Sequence, residues 1–401
     1  MIDAPLTASL LHGGAELEDV EGALRPHRLP LPYRDREADE QLQLMERQPS
    51  GIHLAFRTRA TRVALTLRAT RVAYRGFTRE RGAVDVTIDG RPHTSHRLHA
   101  GDVIEIDMAT GARATSGGDD DVVVVDELSP ADKRVEIWLP HNEQVDLVRL
   151  CTDAPARPVD DTRPVWLHHG SSISHGSNAA TPLQIWPVVA ARLADVHLHN
   201  LGFGGSALVD PFMARVLRDR PADAISLKLG INVVNLDAMR ARSFLPAVHG
   251  FLDTVRDGHP ETPLLLVSPL FCGIHETTPG PGSVDPAGLQ TGRIRFIATG
   301  DPADTARGKL TLEVIRGVLG RVVDDRSDDP NLHFLSGLDL YGPDDAERSP
   351  LPDALHPDTD THGLIGRRFA DAAFGPNGPL RSRHAGGDPR AERSSREPGP
   401  R

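Results

Sequence analysis

The strongest constraint on the fold is a regular alternation of strand-like and helix-like segments in the second half of the chain. Short apolar runs of strand length occur at Val165–Leu167, Val196–Leu201, Ala224–Leu229, Leu264–Ser268 and Leu332–Leu335. Segments with helical periodicity follow each of them, near residues 182–194, 211–219, 238–257, 308–324 and 361–374. Strands separated by helices predict a parallel sheet covered on both faces, with every strand C-terminus at one edge. We therefore expect a three-layer α/β/α domain with a five-stranded parallel sheet over residues 164–378.

The first part of the chain has a hydrophobic period of two instead. Asp89-Gly90 between two such stretches is a hairpin-turn signal. The alternating or strand-like runs lie at residues 52–56, 63–67, 84–88, 103–106, 122–125, 135–139 and 145–150. About seven short strands without a helical pattern predict an antiparallel, jelly-roll-like β-sandwich over residues 35–151. We interpret residues 1–34 as an N-terminal extension, 152–163 as a linker and 379–401 as a disordered tail.

Composition narrows the class of protein. The 401-residue chain has a net charge of −11 and no dense Lys/Arg face with interleaved aromatic residues, so nucleic acid is not an expected partner. Two cysteines, Cys151 and Cys272, are too few for a disulfide framework or a metal cluster. The first thirty residues lack a signal-peptide pattern, and no stretch approaches 18 apolar residues. We expect a cytoplasmic protein without a membrane partner; non-standard export and the oligomeric state stay open.

Three segments that follow predicted strands carry groups suited to acyl transfer. Gly170–Gly176 follows the first strand and contains Ser172, a candidate nucleophile. Asn200–Ser206 follows the second strand, and its glycines allow a backbone N–H to approach a ligand closely. Gly230–Asn232 follows the third strand and offers the side-chain amide of Asn232 as a donor. Because strand C-termini share one edge of a parallel sheet, we expect these groups to lie close together.

An acid and a histidine follow the last strand. Asp353 lies three residues before His356, and on a helical turn that spacing brings two side chains together. Asp353 could then hold the imidazole in the tautomer that accepts a proton from Ser172. A nucleophile, a base with an orienting acid, and oxyanion donors are the set of groups that serine acyl transfer requires.

Together these segments resemble the SGNH (GDSL-type) hydrolase family over about residues 160–375. The first family block matches Gly170–Gly176, the second-block glycine matches Gly205, the third block matches Gly230–Asn232, and the last block matches Asp353 and His356. The resemblance implies a flavodoxin-like catalytic domain with a triad of Ser172, Asp353 and His356. It also implies an oxyanion hole formed by the N–H groups of Ser172 and Gly205 and the amide of Asn232. The preceding sandwich is similar in architecture to two-domain carbohydrate esterases.

Two positions depart from the family pattern. Ser171 stands where the first block usually has Asp, and Val233 stands where the third block often has Asp. Neither position has a role in the mechanism that the resemblance implies. We therefore expect altered local hydrogen bonding at both positions and retained activity.

The sequence thus predicts a carboxylic ester hydrolase that acts on a small-molecule ester through an acyl-enzyme, without a metal or organic cofactor. Acetyl esters of carbohydrates are one candidate substrate class, but the acyl and alcohol parts stay open because specificity depends on pocket shape. A non-catalytic carbohydrate-binding protein with the same fold is an alternative. An NAD-binding oxidoreductase is another, because Gly202–Ala207 fits G-x-G-x-x-A after a strand. Against it, Pro211 follows where the required helix should already have begun, and the next strand does not end in an acid.

Two further features stay open at this level. His197 and His199 share one face of a predicted strand, which is a spacing seen at metal sites, yet no acid or cysteine lies at ligand spacing beside them. We therefore expect no metal there. Residues 275–306 form a connection longer than usual, which fits either a lid or substrate loop or an inert insertion.

Overall fold

The computed structural model describes residues 1–77, 80–107, 110–290 and 292–381. Two β-sheets formed by the first 158 residues pack beside a parallel sheet that begins at residue 165. Residues 382–401, most of the predicted disordered tail, lie outside the described residues. Within the described ranges, no helix combines the length and apolar character needed to cross a membrane.

The first domain consists mainly of short strands. They are β1 (Ile2–Ala4), β2 (Leu11–His12), β3 (Glu16–Val20), β4 (Ala23–His27), β5 (His53–Thr58), β6 (Val63–Tyr74), β7 (Ala83–Ile88), β8 (Arg91–Arg97), β9 (Asp102–Ile106), β10 (Arg113–Ser116), β11 (Asp121–Val125), β12 (Lys133–Trp138), β13 (Gln144–Thr152) and β14 (Ala156–Pro158). Between β4 and β5 lie the helices α1 (Leu31–Arg36) and α2 (Glu40–Glu46). A single 3₁₀ turn occupies Ala8–Leu10.

These strands form two sheets that enclose an apolar core. One sheet has the order β10-β9-β6-β13-β4-β3, with β1 paired to β13 and β11 paired to β6. The other has the order β14-β5-β12-β7-β8, with β2 paired to β5. Alternate residues of β6, including Val63, Leu65 and Leu67, are buried in the core, as a period of two requires. The predicted antiparallel sandwich is confirmed, apart from the parallel pairing of β6 with β9.

The prediction that residues 1–34 form an extension was wrong. Strand β1 pairs with β13, β2 pairs with β5, and β3 and β4 form a hairpin whose second strand also contacts β13. The predicted linker likewise contains β14, which pairs with β5. These strands have only two to five residues, so alternation within each is too short to be recognised, and their pairing depends on distant partners. The boundary at residue 164 stays a prediction.

The second domain contains the parallel sheet. Its strands are β15 (Val165–Gly170), β16 (His197–Gly202), β17 (Ala224–Lys228), β18 (Leu264–Val267) and β21 (Leu332–Leu335), and a separate hairpin pairs β19 (Gly282–Val284) with β20 (Phe296–Ala298). Its helices are α3 (Ser172–His175), α4 (Trp186–Ala194), α5 (Pro211–Asp219), α6 (Ile231–Asn235), α7 (Ala241–Gly258), α8 (Pro286–Gln290), α9 (Leu312–Asp324), α10 (Gly337–Leu340), α11 (Pro343–Arg348) and α12 (Thr359–Phe369). 3₁₀ turns lie at Pro182–Gln184 and Pro302–Arg307, and a π-helical turn at Ala370–Phe374.

The strand order β16-β15-β17-β18-β21 confirms the flavodoxin-like, five-stranded parallel sheet. Helices α5, α7 and α9 pack on one face, around a cluster that includes Phe244 and Leu227. Helices α4 and α12 pack on the other face, where Trp166, Trp186 and Phe369 are in contact. Both faces are therefore covered, as the alternation of strands and helices predicts.

The predicted start of the tail at residue 379 was also wrong by a few residues. Leu380 is buried in the same core cluster as Trp166, and its N–H donates to the carbonyl oxygen of Ala373 at 2.8 Å. A single apolar side chain after a Pro-Gly-rich stretch has no periodicity that could have shown this docking.

The central position of β17 generates a stability prediction. Leu227 is fully buried under α5 and α7, so Leu227→Ala should lower the free energy of unfolding by about 2–5 kcal/mol. Leu193→Ala is the matched control, because Leu193 is 60% exposed on α4 and its truncation should change that free energy by less than about 0.5 kcal/mol. Urea denaturation followed by fluorescence measures both. Equal midpoints for the two variants would contradict this assignment of the core.

Candidate active site

Ser172 lies at the first position after the sharp turn that ends β15. Gly170 is the last strand residue, and Ser171 leads into α3, which has Ser172 as its first residue. A side chain at position 170 would place its Cβ 2.4 Å from Ser174 Oγ, so the turn can be this tight only with glycine. Gly176 closes α3 in the left-handed conformation with φ +109°. Ser172 is thereby held at the C-terminal edge of the sheet and is only half-buried.

The structure brings Ser172, His356 and Asp353 together in one hydrogen-bonded chain. His356 Nδ1 lies 2.8 Å from Asp353 Oδ2, and His356 Nε2 lies 2.9 Å from Ser172 Oγ. Because a carboxylate only accepts hydrogen bonds, Nδ1–H donates to Asp353. Nε2 then carries the free lone pair and accepts from the Ser172 hydroxyl. This is the arrangement expected of a general base poised on a nucleophile.

The Asp353 carboxylate receives further hydrogen bonds that hold it in its ionised form. Oδ1 accepts from the backbone N–H groups of Leu355 at 2.9 Å and His356 at 2.6 Å, and Oδ2 accepts from Asn178 Nδ2 at 3.0 Å. Burial of this carboxyl raises its pKa, but the hydrogen bond and charge of His356 and the two backbone donors outweigh burial, so the pKa lies below its ordinary value. The ionised form of Asp353, which accepts all of these hydrogen bonds, is therefore favoured.

Residues of the long 275–306 segment pack against the histidine. The backbone N–H of Phe296 donates to the Asp353 carbonyl oxygen at 2.8 Å. The Phe296 ring stands edge-on to the His356 imidazole, with 5.5 Å between ring centroids. At Phe296 the segment therefore packs directly against the His356 imidazole. It is neither a detached lid nor an inert insertion at this point.

Gly205 and Asn232 lie on neighbouring turns at the same sheet edge. A Cβ at Gly204 would lie 3.7 Å from Ser172 Cβ, which places the Gly204–Gly205 turn directly beside the serine. Asn232 is buried, and its Oδ1 accepts from Ala207 N–H at 3.1 Å, which joins the second and third segments. Since the carbonyl end of this amide is engaged, its NH₂ group is the end left for a ligand.

A buried arginine of the first domain, Arg28, contacts the backbone at the end of β16 and His175 at the end of α3. Arg28 Nη1 donates to the carbonyl oxygens of Asn200 at 3.2 Å and Gly202 at 2.6 Å, while Nη2 donates to His175 Nδ1 at 3.2 Å. The guanidinium also lies over the Phe203 ring, 4.4 Å from its centroid. Burial lowers the pKa of Arg28 to about 9, partly offset by the charge of Glu46. Arg28 stays charged at neutral pH and ties the Ser172 turn to the Gly205 turn.

The two departures from the family pattern both lie in the interior. Ser171 is fully buried, and its Oγ has no hydrogen-bond partner among the described residues. Val233 is fully buried in the core on the α5 and α7 face. Neither side chain takes part in the chain of hydrogen bonds that joins Ser172, His356 and Asp353.

The histidine pair on β16 does have an acid beside it, contrary to the expectation from the sequence. Residues distant in sequence bring ligand atoms close to His197: the atoms of His12, Asp161 and His197 lie within 4.8 Å of one another. However, Arg163 donates to both oxygens of Asp161, at 2.8 and 2.5 Å, and His197 Nδ1 lies 3.0 Å from the same carboxylate. The Asp161 charge is thus already balanced by Arg163, and these contacts describe a partly buried ion pair, next to which His197 of β16 is hydrogen-bonded to Asp161.

Comparisons with known proteins agree with this geometry. Residues 162–272, which include Ser172, Gly205 and Asn232, match the model of the GDSL-like Lipase/Acylhydrolase family. The resemblance to SGNH (GDSL-type) hydrolases is confirmed. A comparison with curated protein sequences gives no match.

Solved structures match most of the chain, with coverages of 80–94%. The salicylyl-acyltransferase SsfX3 from a tetracycline biosynthetic pathway is 26% identical, with a TM-score of 0.77, and the match covers 94% of this chain and 98% of that one. A protein from Bacteroides ovatus described as a GDSL-like lipase is 19% identical, with a TM-score of 0.64 and coverages of 90% and 93%. A family two carbohydrate esterase from Clostridium thermocellum is 14% identical, with a TM-score of 0.54 and coverages of 80% and 90%. The last two show likeness of fold alone.

The hydrogen bond from Asn178 to Asp353 generates a prediction about nucleophile reactivity. Asn178 has φ +68°, so Asn178→Gly removes the amide donor without backbone strain. With one donor fewer on Asp353, labelling of Ser172 by a fluorophosphonate should slow about fivefold, the factor for one net hydrogen bond. Intact-protein mass spectrometry against time measures the rate. Asp195→Gly, at another left-handed position but at the C-terminus of α4, should be labelled at the wild-type rate. Unchanged labelling of Asn178→Gly would contradict a role for Asn178.

Proposed function

We propose that this protein is a serine ester hydrolase with Ser172 as nucleophile, His356 as general base and acid, and Asp353 as the orienting acid. The observation that carries the proposal is the continuous hydrogen-bonded chain from Asp353 Oδ2 through His356 to Ser172 Oγ, with contacts of 2.8 and 2.9 Å. All the reacting groups belong to the protein itself, so the proposed chemistry requires neither a metal nor an organic cofactor.

The reaction proceeds through an acyl-enzyme. Ser172 Oγ attacks the ester carbonyl carbon while its proton passes to His356 Nε2, and Asp353 stabilises the imidazolium that forms. The tetrahedral intermediate collapses when the bond to the alcohol oxygen breaks and His356 returns the proton to that oxygen. Water then attacks the acyl-enzyme with His356 again accepting the proton, which releases the carboxylic acid and regenerates Ser172.

The developing oxyanion is stabilised by the N–H groups of Ser172 and Gly205 and by the NH₂ group of Asn232. Support for this set comes from the position of the Gly204–Gly205 turn beside Ser172 and from the engagement of Asn232 Oδ1 by Ala207 N–H, which leaves the NH₂ group for the ligand. Donors fixed in advance act most strongly here because they need no reorganisation when charge develops.

Acyl transfer to an alcohol is a second candidate function. It is favoured by the full-length likeness to a salicylyl-acyltransferase, at 26% identity over 94% of this chain. The acyl-enzyme is the same for both functions, and an acceptor hydroxyl replaces water in its second half-reaction. Carbohydrate acetyl esters are a further substrate class suggested by the fold of the Clostridium thermocellum esterase.

The other functional classes have less support. A dinucleotide site needs a helix that begins directly after Gly202–Ala207, whereas α5 begins at Pro211 and β16 is an edge strand of the sheet. A non-catalytic carbohydrate-binding protein would not need a hydroxyl, an imidazole and a carboxylate in hydrogen-bonding sequence.

Replacement of the nucleophile tests the proposal directly. Ser172→Ala should abolish hydrolysis of short-chain aryl esters and acetylated sugars while leaving the circular dichroism spectrum unchanged. A panel of these esters, with and without an added alcohol acceptor, separates hydrolysis from acyl transfer through the ratio of acid to new ester. Ser171→Ala is the matched control, since its Oγ lies outside the hydrogen-bonded chain. Activity that survives in Ser172→Ala would reassign the nucleophile.

Removal of one oxyanion donor tests the second half of the site. Asn232→Ala should lower kcat on the best ester of that panel by about 10²–10³-fold, because a preorganised donor contributes mainly in the transition state. KM should change much less. Asn235→Ala, one turn later on the same helix, is the control, and its amide contacts His275 instead. A loss confined to KM would contradict the role of Asn232 as an oxyanion donor.

A further inference from the structure

The proposed oxyanion donor of Gly205 belongs to a peptide unit that could adopt two orientations. Residues Phe203 to Ser206 form a tight turn in which the Ser206 N–H donates to the Phe203 carbonyl oxygen at 3.2 Å. Gly205 occupies the third position with φ +76°, as a type II turn requires. Type I and type II turns differ in the orientation of their central peptide, which here joins Gly204 to Gly205. Because both central residues are glycine, side chains impose little preference between the two.

The orientation of this peptide decides where the Gly205 N–H points. In a planar trans peptide the C=O and N–H bonds point in opposite directions. A contact that holds the Gly204 carbonyl oxygen on one side therefore directs the Gly205 N–H to the other side. If the central peptide rotated by half a turn, the carbonyl oxygen would replace the N–H, and an acceptor would then face a developing negative charge.

Such a contact comes from the first domain. Gln41 Nε2, on α2, donates to the Gly204 carbonyl oxygen at 3.0 Å. The Gln41 side chain also lies on that side of Gly205, since a Cβ built there would approach its amide nitrogen to 3.5 Å. We propose that Gln41 is a positioning residue, whose hydrogen bond to Gly204 fixes the Gly205 N–H in the direction of an oxyanion formed at Ser172. The inference rests on the proposed function.

Helix α2, which carries Gln41, is itself fixed in position relative to the turn at Phe203 to Ser206. Arg28 joins the two: its Nη2 donates to the Met45 carbonyl oxygen on α2 at 2.5 Å, while its Nη1 donates to that of Gly202 at 2.6 Å. Asp39 caps the start of α2 by accepting from Leu42 N–H at 2.8 Å. The distance between Gln41 and Gly204 is thus set by contacts on both sides of the hydrogen bond.

The test replaces the amide by a side chain of similar length that has no donor. Gln41 is exposed, so Gln41→Met should fold normally, and the variant loses only the bond to Gly204. Its kcat on the ester chosen from the panel should fall at least about fivefold, the factor for one net hydrogen bond, and less than the 10²–10³-fold of a fully lost donor. KM should stay within about twofold. The inhibition constant of a boronic acid, whose tetrahedral adduct occupies the oxyanion hole, should rise in parallel with the loss in kcat.

The matched control is Gln43→Met. Gln43 lies on the same helix, but its amide donates at 3.1 Å to the Ala38 carbonyl oxygen of its own domain, so kcat, KM and boronic acid inhibition should be unchanged. A second variant, Gly205→Ala, disfavours positive φ at the same turn. Because both changes act on one peptide, the loss in Gln41→Met/Gly205→Ala should be smaller than the product of the single losses.

The outcomes separate this inference from the proposed function. Unchanged kcat in Gln41→Met would overturn the inference alone, provided that the original enzyme is active and Ser172→Ala is not. A rise in KM with unchanged kcat would also overturn it, because that result means a direct contact between Gln41 and substrate. An original enzyme that hydrolyses no ester would overturn the proposed function and this inference with it.

Discussion

The register of the parallel sheet is the constraint on which the site depends. On β15 and β16, Gly170 pairs with Gly202, so the two strands end side by side. On β15 and β17, His169 pairs with Leu227, and β17 ends one residue later. The three neighbouring strands therefore end at nearly the same level. Ser172, the Gly204–Gly205 turn and Asn232 lie just after these strand ends. A shift of one residue in any of these pairings would move its segment by about 3.3 Å and separate the Ser172 hydroxyl from the proposed oxyanion donors.

The first domain completes this edge by means of a buried cation. Placing a guanidinium in the protein interior costs several kcal/mol unless hydrogen bonds replace its hydration. Arg28 donates such hydrogen bonds to three backbone carbonyl oxygens, those of Asn200, Gly202 and Met45, and the Phe203 ring adds a cation–π contact. Two of these carbonyls belong to β16 and one to α2, so the same bonds that keep the charge buried also join the domains. The sandwich is in this sense part of the framework of the site.

The groups at the strand ends could be predicted from the sequence because hydrophobic patterns and glycine positions are local signals. The segments that follow β15, β16 and β17 are each marked by an apolar run that stops at a glycine, and Asp353 and His356 are only three residues apart. It did not reach Arg28, Gln41 or Asn178, because nothing around an arginine, a glutamine or an asparagine in sequence indicates which distant carbonyl or carboxylate it will meet. The sheet pairings of the first four strands, β1, β2, β3 and β4, and the contact between His12 and Asp161 were missed for the same reason.

The turn that carries Asp353 and His356 shows how such distant contacts support the geometry of the candidate site. Ala354, between them, has φ +67°, a conformation that costs a residue with a side chain on the order of 1–3 kcal/mol. Two residues distant in sequence stabilise this conformation of Ala354. Phe296 N–H donates to the Asp353 carbonyl oxygen, and the Cys272 thiol donates to the Ala354 carbonyl oxygen at 3.4 Å. Burial raises the pKa of Cys272 to about 12, so the thiol keeps the proton that it donates. The short spacing from Asp353 to His356 brings the two side chains into reach. The contacts from Phe296, 57 positions before Asp353, and from Cys272, 82 positions before Ala354, keep the turn in the conformation that joins them.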